Sequence, residues 1–192
     1  DVVQHLFHRA AICAHEKAID STLLIRPVDA HPFVPSDNAE RSARCREVIT
    51  MQAESLAKRL RHIQGECAVI GLSGGLDSTL ALLVTCRAFD LCGIPRSGIQ
   101  AVTMPCFGTT DRTYNNACTL AKECGTTLTE INIAESVKIH FRDIQQNENI
   151  HDVTYENCQA RERTQVLMDT ANKMNGIVIG TGDLSELALG WC

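Results

Sequence analysis

Two different spacings of apolar positions divide the chain. Over residues 39–64 apolar side chains recur about every 3.6 positions among many charged ones, which predicts an amphipathic helix. A weaker helical pattern covers residues 1–25. Between the two, Pro32 and Pro35 interrupt any helix, and we predict a linker that ends near residue 37. The sequence therefore indicates a helical N-terminal part that is joined by a linker to a following domain.

Beyond residue 64, short apolar runs alternate with helix-length segments. Four runs are predicted as strands, residues 67–72, 99–104, 127–133 and 176–180, and the first has the continuous apolar pattern of a strand buried on both faces. Four helices are predicted between and after them: residues 78–91, 111–124 with Asp111 as its cap, 134–147 and 153–174. Strands that alternate with helices of this length form right-handed βαβ crossovers. The predicted fold class is α/β, an open parallel sheet with helices on both faces, preceded by a helical linker.

Composition and charge narrow the possible classes of partner and cellular location. The 192 residues allow one domain and an appendage, and the net charge of -5 offers no basic surface for nucleic acid. No apolar run approaches the ~18 residues of a membrane span, so we expect no membrane partner. The ten cysteines are scattered through helical and strand-like segments without a C-x-x-C pair, which favours free thiols and a cytoplasmic protein. Cys67, Cys86 and Cys118 are interpreted as small buried hydrophobes.

One N-terminal cluster contains residue types that bind zinc, namely His5, His8, Cys13 and His15. Tetrahedral zinc sites usually take their ligands from two well-spaced pairs, which this tight run does not provide. We interpret the cluster as a solvated helix face, with a metal-binding regulator as the alternative.

The first predicted strand runs into the loop Gly71-Leu72-Ser73-Gly74-Gly75-Leu76-Asp77-Ser78. In open parallel sheets, ligands bind at the carboxyl ends of the strands. Adjacent glycines and a helix N-terminus favour a phosphate group there, the two serines add hydroxyl donors, and Asp77 offers an oxygen to Mg²⁺. The loop matches neither a Walker A motif nor a dinucleotide fingerprint. The alternative is a tight turn whose glycines only allow close packing and whose Asp caps the helix.

The run Ser73-Gly74-Gly75-Leu76-Asp77-Ser78 resembles the signature of the PP-loop ATP pyrophosphatase superfamily, which has an adenine nucleotide alpha hydrolase-like fold. Members typically direct a substrate oxygen at the α-phosphorus of ATP and release pyrophosphate. The superfamily includes asparagine, GMP and NAD synthetases and tRNA-modifying ligases. The loop alone therefore does not choose among these substrates.

Two later segments are more selective. Residues 155–163 and residues 180–191 both resemble NAD synthetase, in particular the long glutamine-dependent kind, and residues 31–35 resemble the connector after its glutaminase. The resemblance implies that residues 1–37 are the tail of an upstream glutaminase plus a linker. It also implies that residues 38–192 are the N-terminal part of a synthetase domain that is truncated at its C-terminus.

This resemblance implies ATP-dependent amidation of deamido-NAD to NAD through an adenylated intermediate, with ammonia from glutamine and a homo-oligomeric full-length protein. The catalytic residues it implies are Ser73, Asp77 and Ser78. The ATP-binding residues are Gly71, Leu72, Ser73, Gly74, Gly75, Leu76, Asp77, Ser78 and Thr181. A magnesium ion would lie on Asp77 and Glu186, since both follow strands that end at one edge of the sheet. The alternative for Glu186 is a first-turn acid that complements the helix dipole.

The substrate-binding set is centred on the last long helix. Asn157 and Arg161 lie four apart on one face, with Arg163 on its flank, and such a face presents donors to a carboxylate or a phosphate. From spacing alone, an exposed helix with internal salt bridges is the favoured interpretation. The resemblance implies instead that this helix holds deamido-NAD. The implied substrate-binding residues are Asn157, Arg161, Glu186, Trp191 and Cys192.

The loop at residues 104–111 faces ATP in the family, but we assign no catalytic role to it and interpret Cys106 as structural. Both ends of the chain look cut, and the Glu-Lys-Cys machinery of a glutaminase is absent. We therefore expect this chain alone to take ammonia from solution, bind nucleotide weakly and turn over poorly. Two alternatives stay open: another PP-loop adenylating ligase of the asparagine or GMP synthetase type, and a non-catalytic nucleotide-binding or assembly module.

Overall fold

The computed structural model describes residues 31–107 and 110–190. The chain divides into two units, residues 1–42 and 43–192. In the first unit, Val34 N–H donates to the His31 carbonyl, and the Asp37 carboxylate accepts from Glu40 N–H at 2.8 Å, which caps the following helix. The predicted helix at residues 1–25 and the His5–His15 cluster lie outside the described residues.

Six helices and four strands are described, together with one 3₁₀ turn at Arg96–Gly98. In chain order the elements are α1 (Asn38–Ile63), β1 (Ala68–Gly71), α2 (Leu76–Cys92), β2 (Ile99–Thr103), α3 (Asp111–Cys124), β3 (Thr127–Glu130), α4 (Ala134–Asp143), α5 (Val153–Lys173), β4 (Ile177–Ile179) and α6 (Leu184–Leu189). Each predicted strand and helix within the described residues therefore exists. The strands are shorter than predicted, and the helix predicted over residues 134–147 ends at Asp143.

The four strands form one parallel sheet in the order β3-β2-β1-β4. Ala68 of β1 is in register with Ile99 on one side and with Ile177 on the other. The chain builds outward from β1 to β3 and then crosses back to place β4 on the free side of β1. This reversal creates a switch point between β1 and β4, where open α/β sheets bind their ligands.

The sheet separates two apolar clusters. Ile70 packs with Leu60, Leu82 and Phe89 on the face covered by α1, α2 and α3. Its neighbour Val69 belongs to the other cluster, on the face covered by α4 and α5. Successive strand side chains point to opposite faces, so a continuous apolar run is the pattern that a doubly covered strand requires. The prediction of an open parallel sheet with helices on both faces is confirmed.

The buried face of α1 differs from the face that its large apolar residues indicate. The large apolar residues Val48, Met51 and Ile63 are 39–56% exposed, whereas Ala53, Ala57 and Leu60 are fully buried. Small side chains let the helix axis approach the layer below it, so the contact face of α1 is its alanine face. The periodicity located the helix and its buried residue Leu60 correctly, but not the burial of Ala53 and Ala57.

The start of α3 also requires a correction. Asp111 is the first residue of the helix and not its cap, because Thr110 has the extended backbone of an N-cap and its Oγ1 accepts from Thr113 N–H at 3.3 Å. Asp111 instead contributes a negative charge to the first turn, where the helix dipole favours it.

The eight cysteines in the described part of the chain are thiols and form no disulfide with one another. Cys86 is buried, while Cys67 and Cys118 are only partly buried, so the interpretation as buried hydrophobes holds fully for the first alone. Within the described ranges, every helix is too short or too polar to cross a lipid bilayer.

Candidate active site

The loop between β1 and α2 leaves the sheet at Ser73. Leu72 N–H still donates to the Val102 carbonyl at 2.8 Å, which extends the ladder one residue beyond β1. Gly74 then adopts a positive φ of 78°, and a Cβ at this position would lie 2.0 Å from the Thr113 carbonyl oxygen. A glycine is therefore required both for the backbone angle and for the approach of the loop to α3.

Two serine hydroxyls fix the shape of this loop. Ser73 Oγ and Ser78 Oγ are 3.1 Å apart, and Ser78 Oγ donates to the Gly75 carbonyl at 3.2 Å. Because the Ser78 proton is used in that bond, Ser73 is the donor between the two hydroxyls. Ser73 Oγ in turn accepts from Gly75 N–H at 3.2 Å. The loop is thus held in one conformation by its own side chains.

The N-terminus of α2 lacks a side-chain cap. Its N-cap residue is Gly75, whereas α3, α5 and α6 begin with side-chain caps from Thr110, Asp152 and Asp183. The first N–H groups of a helix have no partner within the helix and carry part of its dipole. The start of α2 therefore presents unsatisfied donors that suit an anionic group.

A cavity of about 750 Å³ opens beside this loop at the carboxyl ends of the strands. This volume lies within the ~300–1,000 Å³ typical of small-molecule sites. Seven of the residues that we predicted for the site line it together: Gly71, Leu72, Ser73, Asp77, Ser78, Thr181 and Glu186. The loop after β1 and the segment after β4 therefore meet at the switch point, as the topology requires.

Glu186 has two roles in this geometry. Its Oε2 accepts from Asp183 N–H at 2.9 Å, while Glu186 N–H donates to Asp183 Oδ1 at 2.8 Å, so the pair forms a capping box at the start of α6. The same side chain lines the cavity with Asp77. Glu186 can therefore complement the helix dipole in the first turn of α6 and still face the cavity as a possible metal ligand.

The described residues contain no group of three or more His, Cys, Asp or Glu side chains placed to hold a metal ion. The described residues therefore do not form a metal site in which protein side chains supply all the ligands. Two of the carboxylates in the cavity, Asp77 and Glu186, fit the other common arrangement, in which Mg²⁺ takes one or two carboxylates and completes its shell with phosphate oxygens and water.

Several predicted residues lie away from the cavity wall. Gly74, Gly75 and Leu76 belong to the loop but do not line the cavity. Among the described residues of α5, Asn157 and Arg161 are exposed and also do not line it. Trp191 and Cys192 lie outside the described residues. Any contact of these four α5 and C-terminal side chains with a substrate stays a prediction.

A neighbouring face of α5 forms the wall instead. It contributes seven lining residues at helical spacing: Tyr155, Glu156, Gln159, Ala160, Arg163, Thr164 and Leu167. Gln159 is 3% exposed, and its Nε2 donates to the Tyr155 carbonyl at 3.2 Å. The spacing of Tyr155, Gln159 and Arg163 at four-residue intervals is the signal from which this face could have been found.

An aromatic wall adjoins that face, and the sequence analysis did not identify it. The His151 and Tyr155 rings stack with centroids 4.3 Å apart, and Tyr155 packs against Phe107 and Phe141 at 5.8 and 5.5 Å. Burial raises the pKa of the Tyr155 phenol. These rings come from the loop after β2, from α4 and from the start of α5, so no local pattern joins them.

Two further groups at the site stay neutral. Tyr114 lines the cavity from α3, and its hydroxyl donates to Glu130 Oε2 at 2.5 Å, a bond that raises the pKa of the phenol. Burial raises the pKa of the Cys106 thiol. A thiol nucleophile needs a lowered pKa, so this shift supports the interpretation of Cys106 as structural.

A parallel sheet whose switch point carries a glycine-rich, serine-lined loop and an uncapped helix N-terminus is an arrangement typical of α/β proteins that bind phosphate groups. Comparison with known proteins narrows this class. The NAD synthase family model matches residues 48–192, and the chain belongs to that family.

Individual relatives agree with this assignment. The chain is 46% identical over 180 residues to the glutamine-dependent NAD(+) synthetase of Mycobacterium leprae, covering 92% of this chain and 26% of that protein. It is 32% identical over 140 residues to the NH(3)-dependent NAD(+) synthetase of Picrophilus torridus, covering 72% of this chain and 53% of the relative. The chain thus spans about a quarter of the length of the glutamine-dependent relatives.

A solved structure shows the same fold with a nucleotide. The glutamine-dependent NAD+ synthetase of Acinetobacter baumannii, in complex with adenosine diphosphate, superimposes with a TM-score of 0.69 at 30% identity. The match covers 76% of this chain and 27% of the other.

Proposed function

We propose that the full-length protein is a ligase that joins ammonia to the nicotinate carboxyl group of deamido-NAD, with cleavage of ATP to AMP and pyrophosphate. The observation that carries this proposal is the meeting of the β1–α2 loop, Asp77 and Glu186 in one cavity at the switch point of the sheet. Family membership of residues 48–192 supports it. The bound adenosine diphosphate in the Acinetobacter relative supports a nucleotide as one of the ligands.

In the first step, a carboxylate oxygen of deamido-NAD attacks the α-phosphorus of ATP. A new bond between that oxygen and the α-phosphorus forms, the bond to the bridging oxygen breaks, and pyrophosphate leaves with the electron pair. We propose that the uncapped N–H groups of Leu76, Asp77 and Ser78 and the hydroxyls of Ser73 and Ser78 hold the departing pyrophosphate. Donors that are fixed before the reaction stabilise developing charge without reorganisation. Gly71, Leu72, Gly74, Gly75 and Thr181 would complete the ATP-binding set.

We assign Asp77 and Glu186 as the side chains that would hold Mg²⁺. Their carboxylate oxygens are the donor type that this ion prefers, and the remaining ligands would come from phosphate oxygens. When bound, the ion would neutralise charge on the phosphates. The capping box at Asp183 orients Glu186 for this role by fixing its backbone and its Oε2.

In the second step, ammonia attacks the acyl carbon of the adenylate, AMP leaves with the electron pair, and the nitrogen loses a proton to give the amide of NAD. Substrate-binding roles for Asn157, Arg161, Trp191 and Cys192 are part of the proposal. The exposed position of Asn157 and Arg161 leaves both side chains free to meet a substrate that extends beyond the cavity.

The proposal extends to the organisation of the full-length protein. We assign residues 1–37 to the tail of a glutaminase and its linker, and residues 38–192 to the first part of the synthetase domain. The glutaminase would supply ammonia from glutamine, and the full-length protein would act as a cytoplasmic homo-oligomer. The coverage of only 26% of the Mycobacterium leprae relative supports an arrangement in which other segments contribute.

The test is isotope exchange of pyrophosphate into ATP by the full-length protein with Mg²⁺, offering deamido-NAD, xanthylate and aspartate separately. We expect exchange with deamido-NAD alone. Asp77→Asn should reduce this exchange about 100-fold or more, because it removes one carboxylate from the proposed ion site. The matched control is Asp143→Asn, an exposed aspartate at the end of α4 that does not line the cavity, and it should retain exchange.

Other results separate the alternatives. Exchange with xanthylate or aspartate would keep the loop chemistry and replace the substrate with that of a GMP or asparagine synthetase. A folded protein that binds ATP without exchanging any acid would instead be a nucleotide-binding or assembly module.

A further inference from the structure

The cavity is lined by three carboxylates and one permanent cation. Asp77, Glu156 and Glu186 supply the negative charges, and Arg163 is the only Arg or Lys side chain among the described lining residues. A nucleoside triphosphate would add about four negative charges to this site, and one Mg²⁺ ion returns two. Arg163 is therefore the only described lining side chain with a permanent positive charge that can offset these negative charges.

Arg163 is partly buried on α5 and has no ion-pair partner in the described part of the chain. The two ion pairs there are Arg96–Asp90 and Lys138–Glu135. A guanidinium carries five N–H donors in a planar fork. Among the described residues no buried side-chain nitrogen or oxygen lacks a hydrogen-bond partner, so the unpaired donors of Arg163 are in contact with solvent. The donors of Arg163 are therefore available to a ligand in the cavity.

Cys106 is the neighbouring group that Arg163 influences. Burial raises the pKa of the Cys106 thiol, and the charge of Arg163 opposes that rise without cancelling it. The thiol consequently stays neutral at physiological pH and supplies no counter-charge to the guanidinium. Arg163 is therefore the one lining guanidinium that can pair with an anionic group entering the cavity.

We propose that Arg163 binds the phosphate oxygens of ATP from the α5 wall, as a partner to the serine-lined loop at the start of α2. This inference rests on the proposed function for its choice of nucleotide. A planar guanidinium pairs with two phosphate oxygens at once, which lysine cannot do. Arg163 would thus draw the triphosphate toward α5 and offset the repulsion from Asp77, Glu156 and Glu186.

The test compares ligands with and without phosphate in the full-length protein. Isothermal titration gives the Kd of ATP, deamido-NAD and adenosine for Arg163→Met, Arg163→Lys and the control Lys173→Met. Lys173 is an exposed cation in the last turn of the same helix and does not line the cavity. Arg163→Met should weaken ATP binding about 10- to 100-fold, since charged hydrogen bonds of this kind are lost. Arg163→Lys should lie between, and Lys173→Met should match the unmodified protein.

Adenosine affinity distinguishes a phosphate contact from a general disturbance of α5. We expect it to be unchanged in Arg163→Met, whereas an equal loss for adenosine and ATP would overturn the proposal. Unchanged ATP affinity in a folded variant would overturn it as well, as would a loss confined to deamido-NAD, whose diphosphate is the other source of phosphate oxygens. Pyrophosphate exchange is measured separately on the unmodified protein. If that protein showed no exchange with deamido-NAD while Arg163→Met still weakened ATP binding, the proposed reaction would be contradicted and this inference would stand.

Discussion

Gly74 is a residue at which the loop between β1 and α2 passes close to α3. Its φ of 78° and the 2.0 Å that would separate an added Cβ from the Thr113 carbonyl oxygen are two separate penalties. The left-handed backbone alone costs a non-glycine residue ~1–2 kcal/mol, and the clash with main-chain atoms adds to it. We predict that Gly74→Ala lowers the free energy of unfolding by more than about 2 kcal/mol, measured by urea denaturation.

The matched control for this variant is Gly125→Ala. Gly125 ends α3 with a φ of 70°, but a Cβ there would meet nothing within 4 Å. Only the backbone penalty applies, so the loss should stay near 1 kcal/mol. Equal losses in the two variants would mean that the loop moves away from Thr113 at no cost, and the close contact would then not be a constraint on the site.

The place of the loop at the cavity could be predicted from its residues, but the opposite wall could not. Ser73, Asp77 and Ser78 lie within one run of six residues, and their place after a strand determines where they lie. On α5, the pair Asn157 and Arg161 and the pair Gln159 and Arg163 have the same four-residue spacing. Both faces mix polar and charged side chains, so spacing alone cannot decide which one turns toward the cavity.

At the scale of elements, α5 carries most of the second wall, and Asp152 determines where it begins. Its Oδ1 accepts from Tyr155 N–H at 2.9 Å and from Gln146 Nε2 at 3.2 Å, which ties the helix start to the preceding loop. We predict that Asp152→Ala destabilises the protein by about 1 kcal/mol in urea denaturation, the usual cost of a lost N-cap.

Two variants qualify that prediction. Asp152→Asn keeps an oxygen acceptor at the cap and should restore most of the stability. Asp169→Ala removes an exposed aspartate from the interior of the same helix and should change stability by less than about 0.5 kcal/mol. If Asp152→Ala behaved like Asp169→Ala, the cap would not be what anchors the start of α5.

Element bounds followed from the sequence where punctuation is strong, as at Gly93 and Gly125, which end α2 and α3 in the left-handed conformation. The burial of α1 did not follow. Of its large apolar residues, Leu60 is buried, but the rest of the buried face is formed by Ala53 and Ala57, whose small side chains give no apolar signal of their own. The aromatic wall of Phe107, Phe141 and Tyr155 depends on three elements at once and has no sequence signature.

At the scale of the whole molecule, the cavity connects the two apolar clusters. The loop before α2 rests on the cluster around Ile70 and Phe89, whereas Tyr155 and Phe141 belong to the cluster around Val69. Each cluster reaches the cavity, the first through the loop before α2 and the second through α5. A nucleotide that contacts both walls should therefore stabilise both faces of the sheet together, by mass action on the folded state.

Hydrogen–deuterium exchange in the full-length protein tests this link. With ATP and Mg²⁺ we expect slower exchange at residues 73–79 and at residues 155–164, because both walls would be held by one ligand. Residues 122–127, at the opposite end of the strands, should not change and serve as the internal control. Adenosine lacks phosphate, so it should not slow hydrogen–deuterium exchange at residues 73–79 relative to the ligand-free protein. Protection by ATP at only one wall would contradict a shared site, since a ligand that spans the cavity cannot order the loop without ordering α5.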